Sequence, residues 1–512
     1  MKPSERTASS LPRGPRRLTL ASASLVVSLA ASLAACSLTP KYERPAAPVA
    51  ADWPSADALP SPVAGERAAA ELPWQDFVQD AQLRELIGMA LENNRDLRVA
   101  VKAIEQARAL YQVRRADELP TVAAAASGQR SEPNPGAGDK GPKVNSLYSV
   151  GLGVAGWELD FFGRIAALKD AALANYLATE EARKSAQISL VAGVASAWLQ
   201  LRTDTELLAL AERTLATREQ SLSLVRLRFE HGASSGLDLR QAESLIAVAK
   251  AARAQQQRLR AQDINLLTLL VGAPLPERLL PPLRPSAEPA RTPTLSQTVS
   301  AVEPVPELPG FAPIPAGLPS DLLLHRPDIR AAEQQLIAAN ANIGAARANF
   351  FPRITLTASL GRVSTDLDGL IGSGGSGAWS FGPTLTLPIF DGGRNQANLE
   401  ASEAAREIAV AQYEKAIQSA FREVADALAS RGTLDEQLAA MRVQAQAERA
   451  RFELVELRYR NGVASHLDLL DAQRSLFAIE QALAQAQLAQ RVADVQLYKA
   501  LGGGWIEPAP RS

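Results

Sequence analysis

Two stretches of thirteen residues decide the fold: residues 227–239 read LRFEHGASSGLDL, and residues 457–469 read LRYRNGVASHLDL. They align without a gap at an offset of 230 residues, so the chain contains an internal duplication. A glycine stands at the same place in each, Gly232 and Gly462, and glycine readily adopts the positive φ angle at which a helix reverses its direction. Each stretch therefore predicts the tip of a helical hairpin.

Long proline-free segments surround both tips. Residues 143–273 and 389–507 contain no proline, and because proline breaks helix interiors these segments are free to form long helices. A helix over residues 163–230 would be roughly 100 Å long at about 1.5 Å per residue. Apolar residues recur in it every seven positions, which indicates left-handed coiled-coil packing: Val194, Leu201, Leu208, Leu215, Leu222 and Phe229.

Four segments of alternating polarity predict β-strands, two in each repeat: residues 121–130, 147–157, 353–361 and 379–389. Each has about the length of a membrane β-strand, with an apolar face for lipid and a small, polar face for a lumen. The side chains predicted to face the lumen are Thr355, Thr357, Thr384 and Thr386. The alternative is a half-buried sheet in a soluble domain, for which the sequence offers no covering layer.

Four strands alone do not span a bilayer, because the N–H and C=O groups at the edges of the sheet would be unpaired in lipid. The sequence therefore predicts closure with strands from other subunits, in a ring of eight, twelve or sixteen strands. The loops 131–145 and 363–378 would then lie outside the cell, and the long helices would extend into the periplasm.

The first 35 residues are predicted to be an export signal. Basic residues precede an apolar run over residues 18–31, which is typical of a secretory signal peptide. The run ends in Leu33-Ala34-Ala35-Cys36, a pattern typical of bacterial lipoproteins, in which cleavage before the cysteine leaves its thiol to carry diacylglycerol. Cys36, the only cysteine of the chain, is therefore the predicted lipidation site, and Ser37 after it favours the outer membrane.

These patterns predict the organisation of the whole chain. Each repeat should begin with a helix that ends before a proline, Pro120 or Pro352. The predicted segments are a signal peptide (1–35), a lipid-anchored periplasmic segment (36–80), a first repeat (81–272), a proline-rich equatorial linker (273–325), a second repeat (326–502) and a C-terminal tail (503–512).

Composition and motifs exclude several other classes of protein. Lys and Arg number 54 against 55 Asp and Glu, so no basic excess favours nucleic-acid binding. One cysteine and three widely spaced histidines provide no cluster of metal ligands. The glycine pattern at 151–156 lies in an alternating strand and does not open a helix, unlike a dinucleotide site. Residues 232–236 join two helices, unlike a nucleophile elbow. We therefore expect no enzyme activity, cofactor or metal.

Five motifs carry a resemblance to a known family, which extends from residue 36 to about residue 505: residues 157–164 (WELDFFGR), 317–323 (GLPSDLL), 326–329 (RPDI), 469–475 (LLDAQRS) and 498–505 (YKALGGGW). The chain resembles the TolC-type outer-membrane factors, in particular the OprM/NodT-like lipoproteins. The resemblance implies a mainly α fold with a membrane β-barrel portion, in which a homotrimer forms a twelve-stranded β-barrel and a twelve-helix tunnel. Residues 286–312 make the linker longer than is usual in this branch.

The resemblance also implies roles for residues near the tips. Asp471, Tyr459 and Ser465 match positions at the periplasmic aperture, where three symmetric copies of Asp471 would form a ring of carboxylates. The alternative for Asp471 is a salt bridge to Arg474 or Arg240. The tip turns are expected to dock the adaptor through Gly232, Gly462, Asp238 and Asp468. His231 and His466 lie in the same turns, and the sequence leaves open whether they confer pH dependence.

The function predicted from these observations is a passive exit duct in the outer membrane. It would export drugs or other small molecules together with a periplasmic adaptor protein and an inner-membrane pump of the resistance-nodulation-division type. Two alternatives within the same class are type I protein secretion and metal export. An alternative from a different class is a lipid-anchored coiled-coil scaffold without a pore, against which the strand alternation argues.

Overall fold

The structure is a computed structural model that describes residues 37–50, 72–131, 145–283, 306–314, 325–372 and 374–505. The predicted signal peptide, the lipidation site Cys36 and most of the linker lie outside the described residues. The chain forms two compact units. Unit 1 comprises the residues up to Arg44, Gln106–Tyr176 and Gln334–Ala411, and unit 2 comprises Pro45–Glu105, Leu177–Glu333 and Gln412–Ser512.

The two longest helices, Arg164–Glu230 and Arg394–Arg460, have 67 residues each, and the long helix predicted over 163–230 is confirmed. The strands are β1 (Val122–Ser131), β2 (Asn145–Leu159), β3 (Arg353–Ser364) and β4 (Ser376–Thr386). The helices are α1 (Trp74–Phe77), α2 (Ala81–Asn93), α3 (Arg95–Ala116), α4 (Arg164–Glu230), α5 (Gly236–Val271), α6 (Pro327–Ala348), α7 (Leu367–Ile371), α8 (Arg394–Arg460) and α9 (His466–Ala500).

The start of the first repeat differs from the single helix that we predicted. The helix is interrupted at Asn94, so that α2 ends before this residue and α3 begins after it. The Asn94 side chain accepts a hydrogen bond from the Leu97 N–H (2.8 Å), and its amide donates to the Leu270 carbonyl (2.8 Å). An asparagine in this position satisfies a free N–H at the start of a helix. Asn94 therefore begins α3 and also ties it to α5.

The strand predicted over 379–389 is wrong at both ends, because β4 runs from Ser376 to Thr386. Pro388 has no N–H to donate to a strand ladder, and Ile389 and Phe390 lie beyond the strand with almost fully exposed side chains. At the other end the ladder continues to the pair Ser376 and Val363. The strands therefore extend into the loop that we predicted to begin at residue 363.

The four strands form one antiparallel sheet in the order β1-β2-β3-β4. Directly opposed residues share a face: Thr355 pairs with Thr384, and Arg353 pairs with Thr386. The hydroxyl oxygens of Ser359 and Ser380 are 2.7 Å apart on this face, and those of Ser127 and Ser149 are 2.8 Å apart. One face of the sheet is therefore polar and carries all four threonines that we predicted to line a lumen.

The opposite face of the sheet is apolar and exposed. Trp379 is the largest of its side chains and is 77% exposed. The other large members are Val122, Val150, Leu152, Leu360, Phe381 and Leu385. Within the described residues, β1 and β4 each pair on one side only, so the sheet has two open edges. An exposed apolar face with open edges predicts further partners for this sheet.

Two glycines bring β2 and β3 together on the polar face, and this pair provides a test of the register. Gly151 opposes Gly361, where a Cβ at residue 361 would lie 2.3 Å from the Val150 carbonyl oxygen. We expect Gly361→Ala to destabilise the sheet by about 1–3 kcal/mol, because the backbone must shift. The matched control is Gly382→Ala on the same face, where nothing lies within 4 Å. Thermal unfolding followed by circular dichroism measures both, and equal midpoints would contradict the register.

The seven-residue apolar repeat of α4 is buried over most of its length in unit 2. Burial extends through four successive members and weakens toward the tip, where Phe229 is 43% exposed. The buried members are Val194, Leu201, Leu208 and Leu215. The hairpin of α8 and α9 has a similar series in one core cluster, with Leu438, Ala445, Phe452 and Tyr459. This spacing supports the predicted coiled-coil packing.

A part of the linker is held against the N-terminal segment of unit 2. Phe311 stacks on Phe77 with ring centroids 4.8 Å apart, and its backbone forms a β-bridge with Val78. Phe77 also stacks on Tyr498 at 4.0 Å, and the Tyr498 hydroxyl donates to the Leu72 carbonyl (2.5 Å). Aromatic stacking and a satisfied buried hydroxyl therefore hold this part of the linker in one place.

Two carboxyl groups meet between α4 and α5. Asp204 on α4 is 2% exposed, and its carboxyl group interacts with that of Asp263 on α5. Asp204 accepts one hydrogen bond from Gln200 (3.0 Å), whereas its Oδ1 and the Asp263 Oδ2 are buried without a donor. Burial, together with the Asp204 carboxyl group, raises the pKa of Asp263 to about 7. Asp263 therefore keeps its proton to a higher pH than an ordinary aspartate does.

This pair predicts a pH-dependent stability of unit 2. The folded chain binds a proton that the unfolded chain releases above about pH 4, so wild-type stability should fall as the pH rises from about 4 to about 7. Asp204→Asn should reduce this slope, since an amide carries no charge at either pH. Thermal unfolding at several pH values measures it. The second repeat has Leu434 and Ala493 at these positions and thus no such pair. Equal slopes in wild type and Asp204→Asn would contradict an effect of Asp204 on the pKa of Asp263.

Candidate functional site at the helical tips

Both tips reverse direction through a glycine in the left-handed conformation. Gly232 has φ 74° and Gly462 has φ 77°. After α8, the Gly462 N–H donates to the Tyr459 carbonyl (3.1 Å) and the Val463 N–H donates to the Arg458 carbonyl (2.9 Å), which satisfies the last carbonyls of the helix. Nothing lies within 4 Å of a Cβ at either glycine. The φ angle, and not a lack of space, is therefore the reason that glycine is favoured here.

The helix that follows each tip begins with a capping box. The Ser235 hydroxyl accepts from the Asp238 N–H (3.2 Å), and the Asp238 carboxylate accepts from the Ser235 N–H (3.0 Å). Ser465 and Asp468 make the same two bonds at the same distances. The serine hydrogen bonds hold the pKa values of both aspartates below their usual range. The Ser-x-x-Asp spacing in both repeats is a sequence signal for this motif that our predictions did not use.

The capping boxes give a structural role to three of the predicted site residues. We expected Asp238 and Asp468 to dock an adaptor and Ser465 to line the aperture. The structure places Ser465 at the N-cap of α9, with its hydroxyl and N–H both bonded to Asp468. The first function of Asp238, Ser465 and Asp468 is therefore to begin α5 and α9 in the correct direction.

Tyr459 joins the two hairpins of unit 2. It is 9% exposed, and its hydroxyl oxygen accepts a hydrogen bond from Arg228 on α4 (2.9 Å). The Arg228 guanidinium also lies 5.0 Å from the centre of the Tyr459 ring, a cation–π contact. Sequence reasoning missed Arg228, because Arg458 stands at the equivalent place in the second repeat and gives no sign of a special role.

Asp471 is held between two arginines of the same chain. Its Oδ2 binds Arg451 and its Oδ1 binds Arg474, each at 2.6 Å. These two hydrogen bonds lower the pKa of the Asp471 carboxyl group. The salt bridge to Arg474 is confirmed as a contact. Arg240, the other partner that we considered, binds Glu243 at 2.8 Å within this chain. Arg451 on α8 was not predicted.

The N-terminal segment of unit 1 lies against α6. The Asn340 amide donates to the Pro40 carbonyl (2.7 Å), and one helical turn further a Cβ at Gly344 would lie 2.8 Å from the Thr39 Cα. The absence of a side chain at Gly344 therefore allows the backbone to approach the helix closely. This contact holds a point of the chain three residues after Cys36, which itself lies outside the described residues.

The described residues contain neither a cluster of metal ligands nor a long apolar helix. Among them no group of three or more His, Cys, Asp and Glu side chains is placed to hold a metal ion. In the same part of the chain no helix combines the length and hydropathy that crossing a membrane requires.

Comparisons with known proteins agree with this geometry. The sequence matches the outer membrane efflux protein family over residues 86–273 and 318–503. The solvent efflux pump outer membrane protein SrpC of Pseudomonas putida is 48% identical over 475 residues, which cover 92% of this chain and 96% of SrpC. Outer membrane protein OprJ of Pseudomonas aeruginosa is 46% identical over 481 residues, with 94% and 95% covered. The open state of the MtrE outer membrane channel of Neisseria gonorrhoeae is 41% identical, with TM-score 0.77 and 92% and 99% covered.

The chain combines paired long helical hairpins with a small sheet that is polar on one face and apolar on the other. This combination defines an outer-membrane channel protein. The chain belongs to the outer membrane efflux protein family. The predicted resemblance to TolC-type factors, the outer-membrane location and a function in efflux are thereby confirmed. The family consists of transport proteins, which fits the expectation that this chain is not an enzyme.

The glycines of the tips make a specific prediction about docking. Gly462→Val should impair efflux while the sheet still assembles, because a β-branched residue at positive φ costs on the order of 1–2 kcal/mol in this turn. Gly462→Asn is the matched control, since asparagine tolerates this conformation. Drug susceptibility measures the effect at equal amounts of protein in the outer membrane. Unchanged resistance in Gly462→Val would count against a docking role for this turn.

Proposed function

We propose that the protein is a passive exit duct for drugs or other small molecules. The observation that carries the proposal is the sheet, in which a polar face with four threonines is opposed to an apolar face that is exposed in this chain. Such a sheet suits a barrel wall between lipid and a water-filled lumen. In this proposal an inner-membrane pump supplies the energy for transport, as the family resemblance implies.

Closure of the barrel requires additional copies of the chain. Two open edges per sheet, β1 and β4, would leave backbone groups unpaired in lipid. Three chains with four strands each give a twelve-stranded barrel, and their paired hairpins line a twelve-helix tunnel. The homotrimer is the assembly that the family resemblance implies. A diacylglycerol group on Cys36 adds a lipid anchor, held to unit 1 by the contact of Thr39 and Pro40 with α6.

The partners in this proposal are a periplasmic adaptor protein and a pump of the resistance-nodulation-division type. The adaptor docks at the tips, where Gly232 and Gly462 shape the turns. Small-molecule cargo is favoured by the relatives, among them a solvent efflux pump outer membrane protein. Type I protein secretion and metal export use the same architecture with different partners, and they remain the alternative cargo classes.

Conductance tests the proposal directly. Purified full-length protein in planar lipid bilayers should form discrete channels, and native mass spectrometry should give three chains per particle. Deletion of the gene should increase sensitivity to small toxic compounds. A lipid-anchored coiled-coil scaffold would instead produce no channels and no closed oligomer. Channels without any change in sensitivity would support secretion or metal export as the function.

Asp471 is proposed to line the periplasmic aperture, where symmetry brings three copies together. Asp471→Ala should raise conductance and weaken cation preference, because it leaves Arg451 and Arg474 without their carboxylate. Arg474→Gln is the complementary variant and should strengthen cation preference. Reversal potentials in a salt gradient measure both. If Asp471→Ala changes thermal stability and neither conductance nor selectivity, the residue only braces α8 against α9.

A further inference from the structure

The two tips differ at one position that faces the aromatic residue of the preceding helix. In the first repeat this position is Gly236, where a Cβ would lie 3.8 Å from the Phe229 ring. In the second repeat it is His466, whose imidazole lies 5.6 Å from the centre of the Tyr459 ring. The second repeat therefore keeps the geometry of the first and places an ionisable ring against Tyr459, the residue that joins the two hairpins.

The imidazole of His466 is enclosed without a hydrogen-bond partner. Both ring nitrogens are buried, and neither has a partner in the part of the chain that the structure describes. A neutral imidazole tolerates this position better than an imidazolium, because a buried charge needs compensating hydrogen bonds. The enclosure is therefore selective for the neutral form.

All four helices of unit 2 that meet at the tips contribute groups around His466. Tyr459 comes from α8, Arg228 from α4 and Asp238 from α5, and His466 itself begins α9. Asp238 attracts an imidazolium, but its carboxylate already accepts hydrogen bonds from Ser234 and Ser235. Arg228 repels an imidazolium, and it is also the residue that donates to the Tyr459 hydroxyl. A proton on His466 therefore acts on the contact that joins the hairpins.

We propose that His466 makes this contact sensitive to acid: its protonation loosens the Arg228–Tyr459 contact and opens the tip. The effect on transport rests on the proposed function of the tips as the periplasmic mouth of a duct. The loosening of the contact is a property of unit 2 alone and does not depend on it.

The direction of the pH dependence follows from burial. Burial lowers the pKa of His466 below its usual 6.5; attraction by Asp238 opposes this shift, and repulsion by Arg228 adds to it. The joined arrangement is therefore fully stabilised above about pH 6.5 and loses this stabilisation as the pH falls further. The Asp204–Asp263 pair has the opposite sign, because its contribution weakens as the pH rises.

The first experiment measures conductance of the full-length protein in planar bilayers from about pH 7.5 to about pH 5.5. We expect the conductance of wild type to increase as the pH falls through this range, because protonation of His466 loosens the Arg228–Tyr459 contact. His466→Gln should abolish the increase. His231→Gln should retain it, because His231 is exposed at the other tip, where its ring nitrogen contacts the Leu227 carbonyl. Equal pH profiles for wild type and His466→Gln would overturn the proposal.

A second experiment does not require a channel. The chain has three histidines, so an NMR titration of isotope-labelled histidine side chains, assigned with His466→Gln, follows each one separately. We expect the pKa of His466 to lie below 6.5 in wild type and to be higher in Arg228→Met than in wild type. A titration of His466 at or above 6.5 in wild type would reject the proposal even if the protein conducts. If the pKa of His466 is lowered but the protein forms no channels, the proposal of an acid-sensitive contact stands and the proposal of a duct is rejected.

Discussion

The unpaired backbone groups of β1 and β4 are the constraint on which the rest of this protein depends. In lipid each unpaired N–H or C=O group costs several kcal/mol, so a sheet of four strands is not a complete structure there. The exposed apolar face adds a second demand, because Trp379 and its neighbours need a nonpolar environment. Both demands are met together when several copies close a barrel. The proposed duct is therefore a property of the assembly, and a single chain supplies one part of the wall.

Duplication preserves what the backbone requires and leaves the other positions free to diverge. Gly232 and Gly462 have the same φ angle, and the serine and aspartate of each capping box make the same bonds. The pairs Phe229 and Tyr459, and Gly236 and His466, occupy equivalent positions with different chemistry. The hydrogen bond between Arg228 and Tyr459, which joins the hairpins, uses one of these divergent positions. A duplicated fold can thus have one hairpin that differs in function from the other.

Sequence periodicity predicted the elements of this fold much better than their ends. Seven-residue and two-residue repeats are spread over many positions, so the long α4 and the two-faced sheet were both recognisable. An end depends on one or two residues and their partners. Asn94 separates α2 and α3 because its side chain reaches the Leu270 carbonyl, and that carbonyl is 176 residues away in the sequence. The end of β4 has a local cause in Pro388, which our reading of the alternation passed over.

The duplication, the turns, the polarity of the two sheet faces and the family could all be predicted from the sequence alone. All of these follow from patterns within a few residues or from motifs, because turns, caps and strand faces are set by local backbone geometry. The pairing of the charged groups, in contrast, became visible only in the folded chain. Tyr459 binds an arginine 231 residues earlier, and Asp471 binds one 20 residues earlier on a neighbouring helix. Such partners depend on which helices pack together and on how the helices are aligned along their axes. No local sequence pattern contains that information.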